Sequence, residues 1–425
     1  MSAEVTISKS EVQRSFLLTV FNGAVFNFAK RLIDPPLVLT WFVSRLTSSN
    51  FLIGLVTPLG NSGWFLPQIF ISARIQRMQR KMPNYTAAAV ARVFCWLLLV
   101  AALWLLDDPV LLLASFFVLY TVASLGAGLA GLTFFDVLAK TIPAWRRGSL
   151  FAWRQFLGGG LALGAGWIVK TVLNHSALPF PRGHAFLFAL YCVLIAPAMG
   201  AFIAVREPAG GTIAELVTVG EQLRRARQLL VEDHVYRRYI AAQLSLTMAI
   251  IALPFYGVYA RNVLGAPEGM VGVYVTTRVV SQLLFNLPWG SVSDRHGNRL
   301  VMRLLSLGKG LAALLALALV AAVGLLHPQG AWLPYSVLPL FFLEGATWPA
   351  HVLTGSNFLL ELVSEAERPL YLGLSNTLKG MALMISAMGG LLVDLFGFAG
   401  PFALSLGLCV AGYVLTMGLP EPRSK

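Results

Sequence analysis

Charged residues are scarce in this sequence of 425 residues, where Asp, Glu, Lys and Arg together make up 12%. Hydrophobic residues make up 57%, and the mean hydropathy is +0.73. A water-soluble domain does not need so much apolar surface, because its exterior must be solvated. The composition therefore excludes a soluble protein and indicates a chain that lies mostly within a membrane.

Cysteine is also rare, and the residue patterns of enzymes and metal sites are missing. The cysteines Cys95, Cys192 and Cys409 lie singly in apolar runs, so they form no metal or redox motif. The sequence contains no His-Glu-x-x-His, no nucleotide-binding loop and no Ser/His/Asp or Cys/His arrangement. We therefore expect no catalytic residue, no cofactor and no metal ion, and we do not expect an enzyme.

Acidic residues are few beside basic ones, with 19 Asp and Glu against 32 Lys and Arg and a net charge of +13. The basic residues gather in alternate short loops, at 74–84, 139–148, after residue 205 and at 294–303. This distribution argues against a nucleic-acid-binding surface and is typical of loops that stay in the cytoplasm. We therefore expect both termini on the cytoplasmic side of the cytoplasmic (inner) membrane. The first residues lack a cleavable signal pattern.

Apolar runs of about 20 residues recur along the chain, which is the length needed to cross the hydrocarbon core of a bilayer. A backbone in that core must satisfy its own hydrogen bonds, so the spans are expected to be helices. The runs predict twelve spans, near residues 15–44, 51–73, 85–106, 109–138, 149–173, 184–205, 238–260, 269–291, 300–326, 332–356, 370–393 and 397–419.

One loop between two of these spans carries a recognisable pattern. Five of its residues fit G-x-x-x-D-R-x-G-x-R, namely Gly290, Asp294, Arg295, Gly297 and Arg299. Glycine permits close helix packing and a turn with positive φ, and the arginines hold the loop in the cytoplasm. The pattern is similar to the loop signature of major facilitator superfamily (MFS) transporters. The alternative is a turn that only sets the membrane topology, which the match in both spacing and position makes the weaker explanation. The resemblance implies an all-α membrane protein with twelve transmembrane helices in two pseudo-symmetric six-helix bundles.

A weaker copy of this stretch lies 221 residues earlier, where residues 66–78 repeat Leu-Pro, Ser and Arg of residues 287–299. Asp136 with Asn357, and Arg147 with Arg368, share the same offset. The shared offset indicates two related halves, as the resemblance implies. Ala73 stands in place of the acidic residue in the first copy. A contact made by that acid is therefore doubtful in the N-terminal half.

The polar stretch at residues 207–237 divides the chain. We expect an N-terminal six-helix bundle at 1–206, a cytoplasmic linker at 207–237 and a C-terminal six-helix bundle at 238–425. The linker pattern becomes helical from Glu215, with a basic face. That face either contacts anionic lipid or is simply solvated.

Charges within the first span are dense, with Lys30, Arg31 and Asp34 on one helix face ahead of Pro35 and Pro36. Charges at membrane depth are costly and persist mainly where they face a cavity or a partner. The two prolines cannot donate to the helical ladder, so the helix is expected to kink or break there. The alternative to a functional role is a self-neutralised ion pair near the outer surface.

The second half has its own charges at membrane depth, with Arg278 in the eighth predicted span, Glu344 in the tenth and Lys379 in the eleventh. His351 follows Glu344 on a similar face, and a histidine there is more often structural. Lys309 lies in the ninth span, which is usually peripheral in the family, so we do not count it among the candidate functional residues. The alternative for Arg278 and Glu344 is a mutual ion pair without a substrate role.

The resemblance implies that these spans line or flank a central path between two bundles that rock against each other. By that resemblance the solute contacts are Lys30, Arg31, Arg278 and Lys379. A buried carboxyl group can exchange protons, so the proton-coupling candidates are Glu344 and Asp34.

The cations outnumber the acids in this set, which favours an organic anion or zwitterion as the solute. We therefore expect a secondary transporter of a small molecule, working by alternating access as a proton symporter. A monomer in contact with membrane lipid is expected, with no nucleic acid as partner. A drug or metabolite exporter, and a non-transporting receptor or assembly factor on the same fold, remain alternatives.

Overall fold

The structure, a computed structural model, describes residues 8–76, 78–209, 224, 228–355, 357–363 and 368–421, and for 66–76, 360, 369 and 370 only the backbone. Every regular element within these ranges is helical. Most of the predicted linker, residues 210–223 and 225–227, lies outside the described residues, as does residue 77 of the weaker motif copy.

The α-helices of the described residues follow one another along the chain. They are α1 (Lys9–Leu32), α2 (Thr40–Leu46), α3 (Asn50–Gln76), α4 (Met82–Leu105), α5 (Pro109–Thr141), α6 (Ala144–Leu173), α7 (Arg182–Ile203), α8 (His234–Met248), α9 (Leu253–Asn262), α10 (Met270–His296), α11 (Asn298–Leu326), α12 (Leu338–Thr354), α13 (Asn357–Leu362), α14 (Arg368–Ile385), α15 (Gly389–Phe396) and α16 (Ala399–Met417).

Ten helical stretches among the described residues are long and apolar enough to cross a membrane. Three of them join two helices each, α1 with α2, α8 with α9, and α14 with α15. The second and tenth predicted spans coincide with α3 and α12, which fall outside that set. Each of the twelve predicted spans therefore coincides with a helix or a joined pair, and the all-α, twelve-span prediction is confirmed.

The first span is interrupted where its prolines stand, as predicted. α1 ends at Leu32, a single turn of π-helix covers Pro35–Leu39, and α2 continues from Thr40. Proline has no backbone N–H and its ring crowds the preceding turn, so two consecutive prolines strongly disfavour a regular α-helix at this point. The seventh span is interrupted as well, by a 3₁₀ turn at Ala249–Ala252.

The chain forms two compact units. Unit 1 comprises the described residues of 1–34 and 63–216, and unit 2 those of 35–62 and 217–425. In unit 1, α1 packs against α6 and α7, and α4 packs against α5 and α7. In unit 2, α8 packs against α14 and α16, and α11 packs against α12 and α16. Each unit thus joins its first span to its fifth and sixth, and its third span to its fourth and sixth, which agrees with two related halves.

Residues 35–62 pack within unit 2 although they precede the predicted division at residue 206. The indole of Trp41 donates to the Glu268 carboxylate at 2.9 Å. The guanidinium of Arg261 donates to the Ser44 carbonyl at 2.7 Å. These polar contacts fix the segment on α9 and on the turn that precedes α10. The predicted boundaries of the two bundles and the linker stay a prediction.

Candidate functional site

The signature loop joins α10 to α11 through a glycine that no other residue could easily replace. Gly297 has φ 81° and ψ 165°, a conformation open essentially to glycine alone. Its N–H donates to the Ser293 carbonyl at 3.0 Å, and Ser293 Oγ donates to Asn298 Oδ1 at 2.9 Å. A Cβ at position 297 would overlap the Glu421 carboxylate. At Gly290, by contrast, a Cβ would meet no described atom within 4 Å.

The same loop holds the chain that follows α16. Arg299 donates through Nη1 to the Leu419 carbonyl at 3.1 Å, and its Nε lies 3.8 Å from Glu421 Oε2. Asp294 and Arg295 are exposed at the surface of this turn. Arg299 thus contacts the chain after α16 within unit 2, whereas the conformational roles expected for Arg299, Gly297 and Asp294 stay predictions.

In unit 1, a carboxylate just after the last span likewise contacts the start of the third span. The Glu207 carboxylate is buried and accepts from the backbone N–H groups of Lys81 and Met82, both at 2.7 Å. Lys140 donates to the same carboxylate at 2.6 Å. An anion at a helix N-terminus satisfies backbone donors that the helix itself leaves open. The carboxylates after the last spans of the two units, Glu207 and Glu421, thus lie beside the starts of α4 and α11.

The predicted charge group of the first span forms an ion pair. Arg31 Nη1 lies 3.3 Å from Asp34 Oδ2, and the Asp34 side chain is buried. Lys30 is exposed on the same helix. The structure thus contains the pair that the alternative interpretation predicted, and the solute-contact and coupling roles of these residues stay proposals.

Glu344 pairs with Lys309, which was not among the predicted functional residues. Lys309 Nζ donates to Glu344 Oε2 at 3.2 Å, and the two side chains are 6% and 5% exposed. Treating Lys309 as peripheral was wrong, because α11 packs against both α12 and α16 and buries one of its faces. Met302, Ser306, Lys309 and Ala313 follow one another at helical spacing on that buried face. The signal was therefore present in the sequence.

The helices around this pair approach each other closely. A Cβ at Gly345 would overlap Ser281 Oγ and the Arg278 carbonyl, and a Cβ at Gly308 would lie 2.6 Å from Thr347. Such close approach of α12 to both α10 and α11 leaves little room for water or lipid beside Glu344.

Arg278 on α10 and Lys379 on α14 are also buried, and His351 on α12 is half-buried. The guanidinium of Arg278 stands 5.9 Å from the centre of the Trp348 ring, within cation–π range. Lys379 donates to the Gly355 carbonyl at 2.8 Å. His351 has a buried Nδ1 that meets no hydrogen-bond partner among the described residues. These groups and the Lys309–Glu344 pair concentrate buried polarity within unit 2.

Two arginines of unit 1 were missed although they also lie within predicted spans. Arg92 on α4 and Arg154 on α6 line a cavity of about 230 Å³. The signal that identified Arg278, a charge inside an apolar run, applied equally to both of them. No group of His, Cys, Asp and Glu among the described residues could hold a metal ion.

The fold as a whole is similar to that of proteins with solved structures. Residues 238–425 match the sequence model of the Major Facilitator Superfamily. A solved structure of a D-xylose–proton symporter superposes with a TM-score of 0.74 at 16% identity, covering 97% of this chain and 99% of the other. A bacterial homologue of the iron transporter ferroportin, inward-facing, gives 0.70 at 14% identity, covering 95% and 98%. The nucleoside transporter NupG gives 0.64 at 15% identity, covering 96% and 98%. A search of curated protein sequences gave no match.

Proposed function

We propose that the chain is a proton-coupled secondary transporter of the Major Facilitator Superfamily. The match of residues 238–425 to the family model and the fold shared with solved transporters support this proposal. The solute is a small organic anion or zwitterion. The protein is a multi-pass membrane protein of the inner membrane, with both termini on the cytoplasmic side and proton symport as its source of energy.

The buried Lys309–Glu344 pair is the observation that carries the proposal of proton coupling. A charged pair that is removed from water is costly and gives little net stability, so its presence is better explained by function. Protonation of Glu344 would cancel its attraction to Lys309. The contact between α11 and α12 would then change with each proton taken up or released, as a proton-coupled conformational cycle requires. The D-xylose–proton symporter shows that a protein of this fold couples transport to protons.

The cations at membrane depth support an anionic or zwitterionic solute. We propose Lys30, Arg31, Arg278 and Lys379 as solute contacts, with Asp34 as a second coupling candidate. An arginine that grips a carboxylate in fork geometry is poorly replaced by lysine, whereas an arginine that only balances a charge is replaced well. Arg278→Lys should therefore raise the solute concentration needed for half-maximal uptake.

The experiment is uptake by purified protein in proteoliposomes under an imposed pH gradient, acidic outside, with a panel of radiolabelled carboxylates, amino acids, sugars and nucleosides. We expect at least one anionic or zwitterionic solute to accumulate. Glu344→Gln should abolish accumulation against a gradient while it leaves exchange of the solute across the membrane intact.

Glu232→Gln is the matched control, because this carboxylate is exposed and lies outside the spans. It should transport like the unmodified protein. Acid-driven accumulation that survives in Glu344→Gln would contradict the proposed coupling role, and absence of flux for the whole panel would favour a receptor or assembly factor.

A further inference from the structure

A cavity inside unit 1 has the composition of an anion-binding site. It has a volume of about 230 Å³ and lies among α1, α3, α4, α5, α6 and α7. A cavity needs only about 10–15 Å³ of such space to hold one water molecule, so this cavity has room for a small solute. Arg92 and Arg154 both line it, and no Asp or Glu is among its described lining residues.

Arg154 is held in place by neutral groups. Its Nη1 donates to the Thr19 carbonyl at 3.0 Å and to Asn22 Oδ1 at 3.2 Å. Its guanidinium also lies 4.7 Å from the centre of the Phe134 ring. These contacts orient the group but contribute no negative charge, and they use only one of its three nitrogen atoms. A guanidinium has five N–H donors, so most of its donors stay available to a bound ligand.

Arg92, on α4, is also held in place by neutral groups. Its Nε donates to the Tyr191 hydroxyl at 2.8 Å, and its guanidinium lies 5.3 Å from the centre of the Phe26 ring. Its two terminal nitrogens donate to no described residue. Neither Arg92 nor Arg154 lies within 4.0 Å of a carboxylate in the described part of the chain.

Two guanidinium groups around one small cavity, without a compensating acid, are electrostatically unfavourable until an anion enters. The remaining wall favours an apolar body on that anion, because it is rich in aromatic rings. These rings belong to Phe26, Trp64, Tyr85, Phe134, Phe135 and Phe151. Aromatic walls accept flat rings edge-on or stacked, while guanidinium forks bind a carboxylate through paired hydrogen bonds.

We infer that this cavity binds a small monocarboxylate with a flat apolar body, whose carboxylate is held between Arg92 and Arg154. The inference rests on the proposed function, since it names the class of anion that the transporter would carry. It adds to the solute contacts proposed from sequence a pair of arginines within unit 1.

The test uses the purified full-length protein in detergent micelles and measures its thermal unfolding with benzoate as the probe. Benzoate should raise the unfolding temperature in a dose-dependent way. Benzamide has nearly the same shape without the charge and should have little effect, and inorganic phosphate should have little effect because it lacks the apolar ring. Equal effects of benzoate and benzamide, or of benzoate and phosphate, would overturn the inference.

Arg92→Gln and Arg154→Gln should each weaken benzoate binding at least tenfold, and the lysine variants should bind with intermediate strength. Arg146→Gln is the matched control, because Arg146 contacts the ring of Phe16 and does not line the cavity. It should bind benzoate normally. Unchanged binding in both glutamine variants would overturn the inference.

Ala127→Leu fills the cavity and keeps both arginines, so it tests the site even where an arginine variant does not fold. It should abolish the benzoate effect, and normal binding would overturn the inference. The uptake panel separates the two proposals. If benzoate binding depends on both arginines but the protein transports no solute of the panel, the result would support the site and refute the proposed transport function. Normal flux, together with benzoate binding that is unchanged in both arginine variants, would refute the proposed site but not the transport function.

Discussion

The Lys309–Glu344 pair makes the most quantitative prediction. The interacting atoms are 3.2 Å apart and both side chains are buried, so removal of one partner leaves the other charge buried and uncompensated. Two unit charges about 4 Å apart attract by about 4 kcal/mol at an effective dielectric constant of roughly 20. Loss of one partner of a buried pair typically costs about 3–5 kcal/mol. Lys309→Met and Glu344→Gln should therefore each lower the free energy of unfolding by about 3 kcal/mol.

The double variant should lose much less than the two single variants combined. With Lys309→Met and Glu344→Gln together, no buried charge remains, and replacement of a buried ion pair by uncharged groups is often nearly neutral. The pairwise interaction free energy in the double-mutant cycle should reach about 2–3 kcal/mol. Reversible unfolding in mixed micelles at neutral pH, followed by circular dichroism, gives the four values.

Lys170→Met is the matched control for the lysine, because Lys170 is exposed on α6. It should change the free energy of unfolding by less than about 0.5 kcal/mol. Additive losses in the double variant would show that Lys309 and Glu344 do not depend on each other, and would refute the argument from their contact.

Three further predictions concern the loops that fasten the helix ends. Gly297→Ala should lower the free energy of unfolding by about 1–3 kcal/mol, because its backbone conformation is essentially limited to glycine, and a normal denaturation midpoint would contradict this. Glu207→Gln should cost about 1–3 kcal/mol in the same assay, because it removes a buried charge that accepts three hydrogen bonds, and Glu232→Gln, at an exposed carboxylate, is its control. Asp294→Asn should slow initial uptake in proteoliposomes at normal membrane insertion, so unchanged flux at equal protein level would remove the role proposed for Asp294.

The spans could be predicted from the sequence because the bilayer imposes a length and a hydropathy that each span must satisfy. The break in the first span was equally predictable, because Pro35 and Pro36 remove two backbone donors. The positive φ at Gly297 followed from the glycine in a tight turn. In each case a local property of a few neighbouring residues decided the structure.

The partners of the buried charges were harder to predict, because they depend on which helix faces meet. The position of Glu344 within its span does not reveal whether α10 or α11 supplies the opposing cation. The structure provides Lys309 from α11, at a place where the glycines Gly308 and Gly345 allow close packing. The ninth span is usually peripheral in the family, but in this chain α11 buries one face against α12 and α16.

Arg92 and Arg154 show a different limit. Both were visible as charges within apolar runs, yet nothing in the sequence indicates that α4 and α6 direct them to one cavity. Their neutral partners, the Tyr191 hydroxyl and the Thr19 carbonyl, lie far away along the chain. Long-range packing creates such a site, so only the folded structure brings its parts together.

We propose that solute movement is coupled to protons through Glu344. The most direct measurement uses proteoliposomes that contain a pH-sensitive dye and records the internal pH when a solute identified by the uptake panel is added outside. We expect the solute to acidify the interior of liposomes with the unmodified protein, and Glu344→Gln to carry the solute in exchange without acidification. Solute-dependent acidification of the same size in Glu344→Gln would contradict coupling through Glu344.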